Sequence, residues 1–227
     1  MDTSERWTRG SLDDAFENAQ ASPSMVFLDL FHRRVFRHEG KVVKYGQSVT
    51  VQEAQALSFI KNSSLSIPIP RAHWSGTCEN VGVVEMGVIE GDGVWRGLSK
   101  DEKHSYMQQL GEIVKQLRSL EGTYIGSLQE GPAVDARRDR HQGGPFYSEA
   151  AFNEFLLSNA ISTMPQIYRK MIHDLLSAKT HKVVFTPGDL SSRNIMVKDG
   201  RIVGIIDWEY AGWYPEYWEF VRFFRAV

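Results

Sequence analysis

The stretch Val184-Phe185-Thr186-Pro187-Gly188-Asp189-Leu190-Ser191-Ser192-Arg193-Asn194-Ile195-Met196-Val197, followed by Gly204-Ile205-Ile206-Asp207-Trp208-Glu209, decides how this chain is read. It sets one carboxylate, Asp189, in a tight turn, a carboxamide, Asn194, five residues on, and a second carboxylate, Asp207, at the end of a later strand. Between the apolar runs Ile195-Met196-Val197 and Ile202-Val203-Gly204-Ile205-Ile206 lies Lys198-Asp199-Gly200-Arg201. An Asp-Gly pair flanked by apolar β-branched runs is the strongest short hairpin signal. With Asp199 and Gly200 as the turn residues, Asn194 is predicted to pair with Ile205. Side chains alternate across a strand, so Asp207 falls on the face of Ile205, diagonal to Asn194 at roughly 7–8 Å.

Two oxygen ligands are therefore expected at the open end of one hairpin. Oxygen-only donors in this number suit Mg²⁺, which is held by one or two protein groups together with phosphate oxygens and waters. Asp189, in the loop that enters the hairpin, is then the group that orients an attacking hydroxyl and accepts its proton. Taken singly, each acid reads as an ordinary solvated carboxylate at a turn or strand end. Their convergence in one register favours function.

With these residues in view, the chain resembles the aminoglycoside phosphotransferase and choline kinase group of kinase-fold enzymes, and most closely the fungal phosphotransferase branch. The similarity runs from about Val35 to the end and includes Lys41-Val42-Val43-Lys44-Tyr45-Gly46, Gly143-Gly144-Pro145-Phe146 and Ala211-Gly212-Trp213-Tyr214-Pro215-Glu216. The resemblance implies an α+β, two-lobed, protein-kinase-like fold, with a small β-rich lobe over residues 1–86 and a mainly helical lobe carrying the hairpin over 87–227. It implies Asp189 as catalytic base, Asn194 and Asp207 as Mg²⁺ ligands, Lys44 as the strand lysine on the nucleotide phosphates and Glu53 as its helix-borne partner. By the same resemblance, Glu85 and Met86 hold the adenine through backbone groups. The implied cofactors are ATP and Mg²⁺, and the implied reaction is phosphoryl transfer to a hydroxyl of a small-molecule acceptor.

Three features depart from the family pattern. The loop histidine that normally precedes Gly-Asp is Pro187, which removes an imidazole and fixes φ near −65°. No G-x-G-x-x-G precedes Lys44, and the glycine-bearing run Gly91-Asp92-Gly93-Val94-Trp95-Arg96-Gly97 follows it and reads as a loop. Relatives continue past the position of Val227 with further helical segments that wall the acceptor pocket. These departures leave open a second class of function, a pseudokinase that binds nucleotide or a partner, and a third, a kinase fold reused for other chemistry.

Composition agrees without deciding. With 227 residues, 42% of them hydrophobic, the chain can bury a large core. A formal charge of −2 leaves no electrostatic footprint for nucleic acid or an anionic membrane. The one cysteine, Cys78, excludes an internal disulfide framework and fits a reducing, cytoplasmic setting. No apolar run approaches the ~20 residues of a spanning helix.

The remaining expectations are local. Ser11-Leu12-Asp13-Asp14 opens a short helix, and β segments follow around Met25–Leu30, Arg34–Arg37 and Lys41–Tyr45. Thr50-Val51-Gln52-Glu53 reads as a capping box, which gives Glu53 a structural reading beside its pairing with Lys44. After the extended Ile67-Pro68-Ile69-Pro70 comes a strand over Val81–Met86. Ser99-Lys100-Asp101-Glu102 is a second capping box, opening a helix whose stripe Tyr106, Leu110, Ile113, Val114, Leu117 and Leu120 is core. Gly126–Gly144, with Arg137, Arg138 and Arg140, is expected to be a solvated loop near the acceptor site. Helices are expected over Ser148–Ser158 and Met164–Ala178. The crowd Trp208, Trp213, Tyr214, Tyr217 and Trp218 reads first as packing and second as an aromatic cage for a cationic acceptor.

Overall fold

The computed structural model describes residues 6–93, 97–135, 141–158, 164–176 and 178–223. The chain divides into two compact units, Met1–Tyr106 with Ser192–Glu209, and Met107–Ser191 with Tyr210–Val227. This division differs from the boundary expected after residue 86. In the structure the first unit continues to Tyr106 and takes in the hairpin, because Ile205 N donates to Pro68 O and Asp92 exchanges backbone bonds with Val197.

The first unit opens with helix α1 (Arg9–Gln20), which begins earlier than Ser11. Thr8 is its N-cap, and Thr8 and Ser11 satisfy each other's backbone N–H groups reciprocally. A five-stranded antiparallel sheet follows, from β1 (Val26–Leu30), β2 (Arg33–His38), β3 (Lys41–Gly46), β4 (Ala72–Cys78) and β5 (Val81–Gly87), in the order β1-β2-β3-β5-β4. Between β3 and β4 runs helix α2 (Gln52–Asn62).

Strand alternation gives the sheet two different faces. On one, Leu12, Phe16 and Ala19 of α1 pack against Phe36, Val43, Tyr45, Val81 and Val83. Asp13 is fastened there by Arg34 at 3.0 Å and the Tyr45 hydroxyl at 2.9 Å. Lys44, one residue out of step with Val43 and Tyr45, belongs to the opposite face with its ladder partner Val84, and that face meets Glu53 of α2. β4 has no counterpart among the strands expected from sequence. Its residues are mostly small or polar, and its propensity is overridden by pairing to β5, which is buried from Val81 to Met86.

The second unit is entered along α3 (Lys100–Arg118), whose N-terminus carries the predicted capping box: Ser99 N donates to Glu102, and Glu102 N to Ser99 Oγ. Its strands are β6 (Gly126–Ser127), β7 (Ala133–Asp135), β8 (His141–Gly143) and, after α4 (Glu149–Ser158) and α5 (Gln166–Leu176), β9 (Val183–Thr186). The loop expected over Gly126–Gly144 is thus corrected in part. β7 and β8 form a small antiparallel pair, and Ala133 and Val134 are buried, Ala133 among Ile125, Phe152, Tyr214 and Trp218, and Val134 with its N–H donated to the Tyr214 hydroxyl. Residues 136–140, with Arg137, Arg138 and Arg140, lie outside the described residues, as do Val94, Trp95 and Arg96.

The chain then returns to the first unit for β10 (Ile195–Lys198) and β11 (Arg201–Ile205), and closes in the second with β12 (Gly212–Pro215) and α6 (Trp218–Phe223). β12 lies between β6 and β9. Tyr214 and Trp218 are buried against Phe152 and Ile125, and Trp208 is fully buried in the first unit. For these three aromatics, packing is the role observed. No described helix is long and apolar enough to cross a membrane.

Candidate active site

At the centre of the first unit, the Lys44 ammonium lies 2.8 Å from Glu53 Oε2, 2.7 Å from Asp207 Oδ1 and 3.3 Å from Glu209 Oε2. β3 places the lysine on the α2 face of the sheet. Glu53 comes from the first turn of α2 and does not cap it. The N-cap is Val51 without a side-chain bond, and Thr50 is spent on Gln52. The expected capping box is therefore absent: burial and the lysine claim the glutamate, whose second oxygen also accepts the Trp208 N–H at 3.3 Å.

Burial would drive the Lys44 pKa down, but the three carboxylates outweigh it and hold the ammonium charged. Desolvation raises Glu53 above the usual carboxylate range despite the lysine. Asp207 is pushed upward by desolvation too, yet the adjacent Lys44, with Arg33 and Arg193 behind it, brings it below the usual range. Asp207 is thus an anion presented beside a cation, in a backbone conformation with φ +63°.

The hairpin differs in register from the expectation. Asp199 and Gly200 do form the two-residue turn, with φ +49° and +77°, the primed geometry that such pairs favour. One residue, Val203, is extra, so Lys198 faces Arg201 and Val197 faces Ile202, whereas Met196 faces Gly204 and Ile195 faces Ile205. Asn194 therefore does not pair with Ile205. It ends a one-turn 3-10 segment, Ser192–Asn194, and its carbonyl accepts the Ile206 N–H at 2.9 Å. The bulge and the left-handed Asp207 replace simple face alternation as the means by which this end of the hairpin is shaped. Asn194 is buried, and Asp207 is three-quarters buried.

The predicted backbone contact at Glu85 and Met86 meets an obstacle. Both residues lie inside β5, with β3 on one side and β4 on the other, and the strand runs on to Gly87. Glu85 also belongs to the α1 face, across the sheet from Lys44. Its carboxylate, 1% exposed, is bonded by Arg6, by Trp7 Nε1 at 2.6 Å and by Lys41 at 3.4 Å. The first backbone beyond the sheet is 88–90.

In the second unit, the turn around Asp189 is clamped by a residue the sequence reading did not single out. Glu219, in the first turn of α6, accepts Gly188 N and Leu190 N, each at 2.7 Å, one bond on either side of Asp189. Burial raises the Glu219 pKa, partly offset by those two donors. Gly188 has φ +81°, and a Cβ there would lie 2.3 Å from Tyr210 O, so only glycine fits. Thr186 is the last residue of β9, extended as the following proline requires. Asp189 is half-buried and its carbonyl accepts the Ser191 N–H.

Lys44, Glu53 and Asp207 are thus brought into direct contact, with Asn194 in the same unit, and Asp189 stands in the clamped turn of the other. Glu209 and Arg33 were missed by sequence reading. The only signal for Glu209 was its place two residues after Asp207, and Arg33 carried none. A carboxylate and a carboxamide are hard oxygen donors of the kind Mg²⁺ takes. Among the described residues, no group of three or more His, Cys, Asp or Glu side chains is arranged to hold a metal ion.

The model of the phosphotransferase enzyme family matches residues 24–227, and the chain belongs to that family. Helix α1 precedes the matched residues. A comparison with curated proteins found no match. Among solved structures, aminoglycoside phosphotransferase APH(4)-Ia is similar with a TM-score of 0.61 and 15% identity, over 86% of this chain and 69% of that one. ADP-bound aminoglycoside phosphotransferase APH(2'')-Ib is similar with a TM-score of 0.55 and 16% identity, over 92% and 74%. At such identities the likeness establishes the fold: an α+β fold of the aminoglycoside kinase type.

Proposed function

We propose that the protein transfers the γ-phosphoryl group of ATP to a hydroxyl of a small molecule. The observation that carries this reading is the Lys44 ammonium fixed between Glu53 and Asp207, in a chain of the phosphotransferase family. In that scheme Lys44 binds phosphate oxygens and Glu53 orients it. Asn194 and Asp207 would hold Mg²⁺, which when bound neutralises charge on the phosphates. Asp189 orients the acceptor hydroxyl and takes its proton, in a turn that Glu219 keeps in shape. The sheet pairing of Glu85 and Met86 favours 88–90, just past β5, as the backbone that meets the base. A thermostable mutant of APH(4)-Ia forms a ternary complex with ADP and hygromycin B, and APH(2")-IIa one with streptomycin and ATP. Those complexes support a nucleotide and a small-molecule acceptor here. A cytoplasmic setting is the proposed one, on the single cysteine.

Pro187 favours a second reading, in which the same site binds nucleotide without transfer. Calorimetric titration of ATP with and without Mg²⁺, on the wild type and on Asp207→Ala, tests the site itself. Loss of most Mg²⁺-dependent affinity in the variant is the expected result. Unchanged binding would remove Asp207 from the metal site.

A further inference from the structure

The lysine cluster contains an ion pair that the proposed reaction does not itself require. Arg33, the first residue of β2, donates through Nη2 to both oxygens of Glu209, at 2.9 and 2.7 Å, and through Nε to Ser48 Oγ at 3.3 Å. The two side chains are 12% and 8% exposed and 176 residues apart in sequence. Such a pair, taken out of water on both sides, is not a surface accident. Glu209 also reaches Lys44, but at 3.3 Å, longer than the lysine's contacts with Glu53 and Asp207.

Geometry and charge together give the pair a task. Three buried or largely buried carboxylates surround one ammonium, and Glu209 lies two residues from Asp207 on the same short segment. If Arg33 were removed, Glu209 would lose its chelating cation and compete for Lys44, and its uncompensated charge would be felt by Asp207. With Arg33 present, Glu209 is held and neutralised by the guanidinium at 2.7 Å, so that it reaches Lys44 only at 3.3 Å and the lysine's shorter contacts stay with Glu53 and Asp207. We propose that Arg33 and Glu209 are a positioning pair for the nucleotide and metal site, with Arg33 setting how Lys44 and Asp207 are presented to the phosphates. The proposal rests on the reading of that site as a nucleotide site.

The test is calorimetric titration of ATP at saturating and at zero Mg²⁺ on the full chain, well below its melting temperature. The proteins compared are the wild type, Arg33→Met, Arg33→Lys, Glu209→Gln, the double variant Arg33→Met/Glu209→Gln, and Asp207→Asn as reference. Arg33→Met is expected to weaken Mg²⁺-dependent ATP binding at least tenfold. Arg33→Lys, which keeps the charge without a planar guanidinium, is expected to recover only part of the loss. The double variant should bind more tightly than Arg33→Met alone, because the competing carboxylate has gone. A merely structural pair would lower thermal stability without producing this recovery. Asp207→Asn abolishing Mg²⁺-dependent binding while Arg33→Met stays within twofold of wild type would overturn the pair and spare the site. An unaffected Asp207→Asn would overturn the site reading, and the pair with it.

Discussion

Lys44 Nζ lies 2.8 Å from Glu53 Oε2 across the boundary between β3 and α2, and both side chains are almost fully buried. Removing one partner of such a pair leaves a buried charge uncompensated, at a cost of about 3–5 kcal/mol, whereas replacing both with apolar groups is often neutral. Lys44→Met is therefore expected to destabilise the protein and to weaken nucleotide binding together. Lys44→Met/Glu53→Met should recover part of that stability in thermal denaturation, since Asp207 and Glu209 still lose the ammonium, without recovering nucleotide affinity. Recovery of both would make the lysine structural only.

Glu219 offers a separate test in the second unit. Glu219→Ala orphans two buried N–H donors beside Asp189, each worth about 1–3 kcal/mol. The expected outcome is a lower melting temperature and a large fall in transfer rate, with nucleotide affinity close to wild type, since the role proposed for that turn is to orient the acceptor. Denaturation scans and titration calorimetry on one preparation read both effects. A transfer rate equal to wild type would show that the turn holds without its clamp.

The pH dependence of stability should carry the signature of Glu85. Burial pushes its carboxyl upward, but bonds from Arg6 and Trp7, with the charges of Arg6 and Lys41, bring it below the usual range. A depressed folded-state value means the contribution to stability is fully present above the unfolded value of about 4.3 and is lost as pH falls through the lower folded value. Glu85→Gln should cost about 2 kcal/mol at pH 7, and the gap to wild type should close under acid, below about pH 4. Urea titrations at pH 7 and pH 3 measure this. A constant gap would mean the effect is packing rather than charge.

The parts of the candidate site that could be placed from sequence, the Lys44–Glu53 contact and the Asp199-Gly200 turn, are local. The Asp-Gly turn, the loop with Asp189 and Asn194, and the strand lysine followed by a helix are short-range patterns, and the family model agrees with the resemblance they raised. What escaped was set by tertiary contacts. The extra residue at Val203 moves Ile195, not Asn194, opposite Ile205, and the one local sign of such a bulge is the isolated Gly204 beside it. Thr50-x-x-Glu53 has the letters of a cap, but a buried lysine outbids a backbone N–H for the carboxylate. Arg33 and Glu209 meet across 176 residues, a distance at which no periodicity can speak. β4 escaped for the same reason, since its strand character comes from its buried neighbour.

The central claim, phosphoryl transfer that depends on Asp189, is tested most directly by one measurement. ATP turnover in Mg²⁺ is followed across a panel of aminoglycosides, amino alcohols and hydroxylated metabolites, for the wild type and for Asp189→Asn. Acceptor-dependent turnover by the wild type, reduced at least a hundredfold in Asp189→Asn with ATP affinity retained, is the predicted result. Acceptor-dependent turnover that survives in Asp189→Asn, or nucleotide binding by the wild type with no turnover on any acceptor, would contradict it.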